Sequence, residues 1–455
     1  MPPRIRRSAM RQFTSLRVAL LTLGSLCFSS AYAASTLVAM SDAELSATRG
    51  QALMSMSYIA PTDSANLEKL RDNSSNIGFY KLGLDAEVEL NTNIRKLQLG
   101  CGGVNGTGAC DIDIDNLSLS GISDTNDGRA SSSAKITNPF IEFAIKNPNS
   151  TALREVTGMR VSAEAIEGLL TFGTENGPTK SGINSLSGYM EVAQAGGTVK
   201  VNPVNGLRPA DVNNAQISGE ACGYLACVPF QTYDYTLNLT TDAAGNSTDK
   251  LTGTLFLPQQ TITGKRISVA PLKASATVSG INVSGNIKAM AAGLLNLDKS
   301  VTGSINNLTV NVDISEDLGF FHKANLNGSP VSLSLQGNDI RWPGSKSIAQ
   351  RGWWLELSNP IDIGDITPVD SVSIANKTIE DTLALVSQKL STGTRGDTKV
   401  DCGALGLLSC IGGSTINIGN LNLAGATPVQ MSLSNLVLKN QSFAPNCHGA
   451  DVKFC

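Results

Sequence analysis

Apolar residues fall at every second position through much of this 455-residue chain, and that periodicity constrains its fold more than any other feature. "LGLDAEVELNTNIRKLQL" (82–99), "FIEFAIKN", "YDYTLNLTT", "TGTLFLP", "GINVSGNIKA", "LTVNVDIS", "PVSLSLQGNDIRW" and "VQMSLSNLVLKN" all carry it. Period two places successive side chains on opposite faces of a strand, one face packed and one solvated. Clusters of turn formers such as "SDTNDG", "NPNS", "TENGPT", "DAAGNS" and "LNGSP" separate the runs. The pattern predicts an all-β protein: an elongated antiparallel β-sandwich or a curled sheet, with few short helices. We expect a first β region over 61–270 and a second over 271–455.

One phrase recurs: "IDNLSL" (114–119), "INNLTV" (305–310), "IGNLNL" (418–423) and "LSNLVL" (433–438). In each, the alternation slips by one across the Asn, which predicts a bulge or tight bend there. The copies are unevenly spaced, so no solenoid period exists. Two of them follow a cysteine loop, in "CGGVNGTGACDIDIDNLSLSG" and "CGALGLLSCIGGSTINIGNLNLAG", which suggests a duplication linking the first and last thirds.

Helix signals are few. "TIEDTLALVSQKLSTG" has Thr378 as N-cap, Asp381 three residues on, aliphatics at Ile379, Leu383, Leu385, Val386 and Leu390, and a stop at Gly393. It predicts one helix near 379–391. "SDAELSATRG" pairs Ser41 with Glu44 as a capping box and stops at Gly50. This predicts a short helix in an N-terminal segment, 34–60, that leads into the first strand. "NIKAMAAGLLNLD" fits helix and strand equally.

The first 33 residues combine Arg4, Arg6, Arg7, Arg11 and Arg17 with the apolar run "VALLTLGSLCF" and an "AYA" site at Ala31 to Ala33. That is the pattern of a Sec signal peptide cleaved after Ala33. Removing five arginines and no acid takes the formal charge from −3 to −8 (−3 minus 5). An acidic chain without a basic block is a poor nucleic-acid binder. No 18-residue apolar run follows the signal, and "AMAAGLLNL" (289–297) is too short to cross a bilayer, so no transmembrane helix is expected. A membrane β-barrel needs aromatic girdles at both interfaces, and Trp and Tyr together number ten (3 plus 7).

Setting Cys27 aside, eight cysteines form four close pairs: Cys101 with Cys110, Cys222 with Cys227, Cys402 with Cys410, and Cys447 with Cys455. The spacing predicts four local disulfides in an oxidising compartment. Zinc is the alternative, and only the Cys222 and Cys227 pair approaches a metal hook in spacing.

Catalytic signatures are absent. The histidines are His322 and His448, and there is no G-x-S-x-G, P-loop or H-E-x-x-H. Cysteines held in disulfides supply no thiolate nucleophile. Paired carboxylates need no signature. "CDIDIDN" sets Asp111, Asp113 and Asp115 on one strand face, either a solvated edge or a row of oxygens for calcium, although Asn116 and Ile122 depart from an EF-hand loop. All three tryptophans lie in "RWPGSKSIAQRGWW": Trp342, Trp353 and Trp354. Core packing and an exposed site for an apolar or sugar ligand are both open to them, and one of the adjacent pair must point outward.

"MSDAELSATRGQALMSMS" together with "ITNPFIEFAIKNP" resembles a group of exported, β-rich proteins of Gram-negative bacteria that lack an assigned activity. The resemblance covers the first third of the chain and carries no catalytic residue. It implies an envelope or cell-surface protein and points to fimbriae as an association. We therefore expect an exported structural or adhesive envelope protein without catalytic activity, at the outer-membrane surface or outside the cell, with the periplasm as the alternative location. Its partners would be other envelope or surface proteins. An apolar or lipid ligand carried on a curved sheet is the second expectation, and a carboxylate-based polysaccharide hydrolase the third. Calcium is the one cofactor the sequence raises.

Overall fold

Strands occupy most of the residues that this computed structural model describes, namely 54–102, 105–174, 179–245, 247–394, 399–402, 415–434 and 446. In chain order they begin with β1 (Met54–Ile59), β2 (Ile77–Leu84), β3 (Glu87–Leu90), β4 (Thr92–Leu99), β5 (Ile112–Ser120), β6 (Ala134–Lys146), β7 (Glu155–Phe172) and β8 (Ile183–Val192). Next come β9 (Ala195–Val201), β10 (Val204–Leu207), β11 (Ser218–Cys222), β12 (Cys227–Thr240), β13 (Leu251–Leu257), β14 (Gln260–Ile267), β15 (Val269–Val278) and β16 (Ile281–Ala291). The last are β17 (Leu295–Asn306), β18 (Leu308–Asp317), β19 (His322–Asn327), β20 (Val331–Gln336), β21 (Gly352–Ile361), β22 (Val400–Asp401), β23 (Thr415–Asn422) and β24 (Val429–Ser434). Three helices join them: α1 (Leu67–Arg71), α2 (Asn126–Ala130) and α3 (Asn376–Thr392).

The strands form sheets of twelve, seven and five. The largest runs β1-β2-β6-β7-β20-β21-β8-β5-β4, with β3 on β6, β19 on β7 and β14 on β8. Because β5 also pairs with the far end of β7, the strands β7, β20, β21, β8 and β5 close a hydrogen-bonded ring. The seven-stranded sheet runs β22-β11-β12-β16-β17-β23 with β10 on β12, and the five-stranded one runs β24-β18-β15-β13-β9. The chain threads all three in succession, passing from β14 through β15 to β16 and returning from β17 through β18 to β19.

Alternation in sequence becomes alternation in burial. Every second residue of β15 is buried, from Ala270 to Val278, and β13 and β17 behave likewise. These inward rows and those of the ring strands build one core spanning the three sheets. The expected all-β class is therefore realised, as a closed ring with two further sheets in place of a simple sandwich. It is also less purely antiparallel than expected, since β21–β8, β11–β22, β17–β23 and β18–β24 are parallel. Parallel neighbours need a long crossover, and α3 lies on the path to β22, β23 and β24. The expected division after residue 270 falls inside β15, and one compact unit begins at Leu53 and holds every described residue.

The recurrent Asn phrase marks backbone irregularities. Asn116 within β5 (φ 51°) and Asn307 between β17 and β18 (φ 61°) adopt the left-handed conformation, and Asn tolerates it better than most residues. In the third copy Gly419 takes that role (φ 61°), and the β17–β23 register shifts there. The suggested duplication is not mirrored in placement: β5 pairs antiparallel inside the ring, whereas β23 is a parallel edge strand. "NIKAMAAGLLNLD" resolves as a strand hairpin turning at Ala292 and Gly293.

Helix α3 starts at Asn376, with Ala375 at the N-cap, three residues before the expected cap Thr378, and no side-chain cap. The Thr378 hydroxyl instead donates to the Thr427 carbonyl, and Asp381 accepts from the Thr427 amide. Ile379, Leu383, Val386 and Leu390 are buried on the side that faces the seven-stranded sheet. Between helix and sheet is a cavity of about 20 Å³ lined by aliphatic side chains and Thr382, with room for nothing larger than a water-sized molecule.

Of the four expected disulfides, two are complete among the described residues. Cys101–Cys110 and Cys222–Cys227 are bonded, the latter closing the β11–β12 hairpin. Cys402 is also disulfide-bonded, and its expected partner Cys410 lies outside the described residues. The fourth expected bond, between Cys447 and Cys455, lies outside them at both ends, because neither Cys447 nor Cys455 is described. The expected signal peptide and the expected helix ending at Gly50 lie outside them too. Closing such short loops stabilises by about 2–3 kcal/mol each in the chain-entropy model. Replacing Cys222 and Cys227 together by serine should cost that much in denaturant unfolding; an unchanged midpoint would show that the hairpin holds without its clip.

Candidate functional site, an open apolar sheet face

Cross-strand neighbours share a sheet face, and following them across the large sheet traces two apolar rows. In the first, Tyr58 of β1 pairs with Tyr80 of β2, then Phe143 of β6, Met159 of β7, Leu335 of β20 and Trp353 of β21. In the second the order is Met56, Leu82, Ile141, Val161, Leu333 and Leu355 on the same strands. Neither row contains a charged residue.

These side chains are open to solvent toward β1. Met56 is 81% exposed, Val161 46%, Tyr58 41%, and Leu82, Ile141 and Leu335 each 39%. At the other end Leu333, Trp353 and Leu355 pack against the main core. The rings of Tyr58 and Tyr80 stack with centroids 4.3 Å apart. Among the described residues β1 is outermost and pairs only with β2, and it has neither charge nor proline to guard its edge.

The opposite face of the same strands carries the charges, and from β6 to β21 its central row is buried. Its central row reads Lys81, Glu142, Arg160, Ser334 and Trp354. Glu142, Arg160, Ser334 and Trp354 are each at most 6% exposed. Arg160 Nη2 donates to Glu142 Oε2 at 2.5 Å and to the Pro343 carbonyl at 2.9 Å. Its guanidinium sits 5.5 Å from the Phe140 ring centroid and 5.4 Å from that of Trp342. Burial pushes the Glu142 carboxyl up, and the Arg160 charge pulls against it.

The segment between β20 and β21 covers this polar face. Trp342 and Trp354 join Phe79, Tyr189 and Ile340 in a second small core there. The indoles donate to Gln336 Oε1 and Ser347 Oγ respectively. Glu356 accepts from the backbone amides of Lys346 and Ser347, and the buried Glu68 of α1 accepts from the Arg341 amide. This part of the sheet therefore buries the Glu142–Arg160 pair beneath an aromatic cover and leaves uncharged apolar rows open on its other face. Large exposed apolar patches of this kind mark interaction sites.

The tryptophans divide accordingly. Trp342 and Trp354 are core residues, 2% and 1% exposed, which removes them from any ligand surface. Trp353 is the outward member of the adjacent pair, half-buried where the first row meets the main core.

The aspartates also separate. Asp113 and Asp115 share Lys96, whose Nζ lies 2.5 and 2.9 Å from their oxygens, and both accept from Asn184. Lys96 thus bridges the two carboxylates that the sequence offered to calcium. Asp111 is buried at the start of β5 and accepts from the Trp353 amide and from Asn105, which ties β5 to β21. The zinc alternative meets a formed Cys222–Cys227 bond, with Glu220 the one further ligand type beside it among the described residues. His322 is buried, its Nε2 3.2 Å from Glu316 Oε1; His448 lies outside the described residues.

Sequence patterning alone does not single out Met56, Leu82, Ile141 and Val161. The signal was present in "FIEFAIK", where Ile141, Phe143 and Ile145 share one face of the strand and Phe140 lies beside Glu142 on the other. Comparison with family models, with curated proteins and with solved structures finds no match for this chain.

Proposed function

We propose that this chain is an exported, non-catalytic component of the cell envelope or cell surface, with a structural or adhesive role, and that it works by docking through its open apolar face. The observation that supports the reading is the sheet face between β1 and β20, on which two uncharged apolar rows stand open while the Glu142–Arg160 pair is buried behind them. The signal-like N-terminus and the disulfides support export. Fractionation of cells, with protease applied to intact cells, tests it. The protein should be found at the outer membrane or surface and be digested, and Met56→Lys with Val161→Lys should fold yet be released from that fraction. Recovery of the native chain as a protease-protected periplasmic protein would sink the reading.

A second reading has its own observation. The apolar rows run without interruption into the main core at Leu333, Trp353 and Leu355, as a sheet holding an extended lipid or other apolar ligand would need. A ligand found by mass spectrometry in an organic extract of the purified protein would favour it. The hydrolase reading gains no such support, because Asp113 and Asp115 are both engaged by Lys96 and Asn184.

A further inference from the structure

From the dimensions and charge of the open face, we infer that it is covered by the same face of a second copy of this chain, the two sheets packing as an isologous sandwich. This rests on the reading that the face is the working surface. Five strands, β1, β2, β6, β7 and β20, spaced at ~4.8 Å, and the two rows ~6.8 Å apart, with the exposed pair Met54 and Leu84 beginning a third at the β1–β2 edge, give a patch of roughly 24 by 14–20 Å. With side-chain relief that is on the order of 800 Å² of accessible surface per copy, the size of a standard stable interface. A single acyl chain would cover only a strip of it.

Charge points the same way. The chain without its signal-like segment carries a formal charge of −8 (−3 minus 5), so two copies repel over most of their surfaces. The two rows carry none, and here the copies meet without opposing like charges. Met56 and Met159 add adaptable side chains suited to a surface that must fit itself. Sheets stacked face to face lie about 10 Å apart and cross at about 30°. Ile141 and Val161, near the middle of the patch, then form its dry centre.

Sedimentation equilibrium of the exported, disulfide-intact protein tests this. Twice the chain mass is expected, with association strengthened by salt. Val161→Lys and Val161→Glu should each weaken dimerisation on the order of 100-fold or more, since an unpaired charge would be buried. Mixing the two variants should restore a heterodimer, and unchanged far-UV circular dichroism shows that each still folds. A native protein that stays monomeric from nanomolar to near-millimolar concentration would overturn the inference, as would a dimer indifferent to both substitutions. A monomer that brings lipid into an organic extract would overturn it too. None of these outcomes alters where the native protein is found on the cell, so the inference can fail while the proposed function stands.

Discussion

Gly188→Ala is expected to lower stability by about 4 kcal/mol or more, or to leave no folded protein. Gly188 lies in β8, paired with Leu355 of β21 on one side and Gly264 of β14 on the other. A Cβ at 188 would collide with the Leu355 carbonyl oxygen, a backbone atom in the parallel pair that helps close the ring. Backbone cannot swing aside as a flexible side chain can, so the strands must part. Gly196→Ala is the control. Its Cβ would meet only the Leu255 carbonyl oxygen at 3.9 Å, and its effect should stay within about 0.5 kcal/mol. Equal unfolding midpoints for the two variants would contradict the ring.

The second large effect belongs to the buried polar face. Arg160→Leu leaves the Glu142 carboxylate buried without its cation and should cost about 3–5 kcal/mol. The double variant Arg160→Leu with Glu142→Leu should recover most of that loss, because two apolar side chains replace the pair without leaving a lone charge. The pH dependence follows from the direction of the shift. Glu142 already has its carboxyl raised by burial against the pull of Arg160. Without Arg160 the rise grows, so the folded state holds a proton that the unfolded chain has released. Stability is then greatest below the ordinary carboxylate range and falls as pH rises toward the raised value. An Arg160→Leu protein as stable as the parent at neutral pH would show that the pair is not buried as described.

Much of the secondary structure was legible because half-buried strands carry their own signature. The inward rows of β13, β15 and β17 can be read straight from alternating residues, and Asn116 and Asn307 announced their bends. Helix α3 was found from its aliphatic spacing, but its start was displaced because Thr378 bonds to Thr427, a partner invisible in local sequence. Ring closure was not legible either, since nothing local tells β5 to pair with the end of a strand some 50 residues away.

The candidate site stayed hidden for a related reason. Alternation says that two faces differ, not which one is covered. Around β6 and β7 the cover is the segment carrying Trp342, which lies far along the chain and settles on the polar side. The aspartate row stayed open between two readings in the same way, because Lys96 reaches Asp115 through the β4–β5 register.

Methionine oxidation tests the open face most directly, because sulfoxide formation follows exposure and the chain holds its own controls. Met54 and Met56 are 56% and 81% exposed on β1, while Met190 of β8 is fully buried. In dilute folded protein treated briefly with peroxide, peptide mass spectrometry should find Met56 oxidised at least about tenfold faster than Met190. Met56 should become protected as concentration or partner brings the face under cover. Met56 as slow as Met190 in the dilute, isolated chain would mean that the face is already closed, and that no open apolar surface exists for a partner or a second copy to cover.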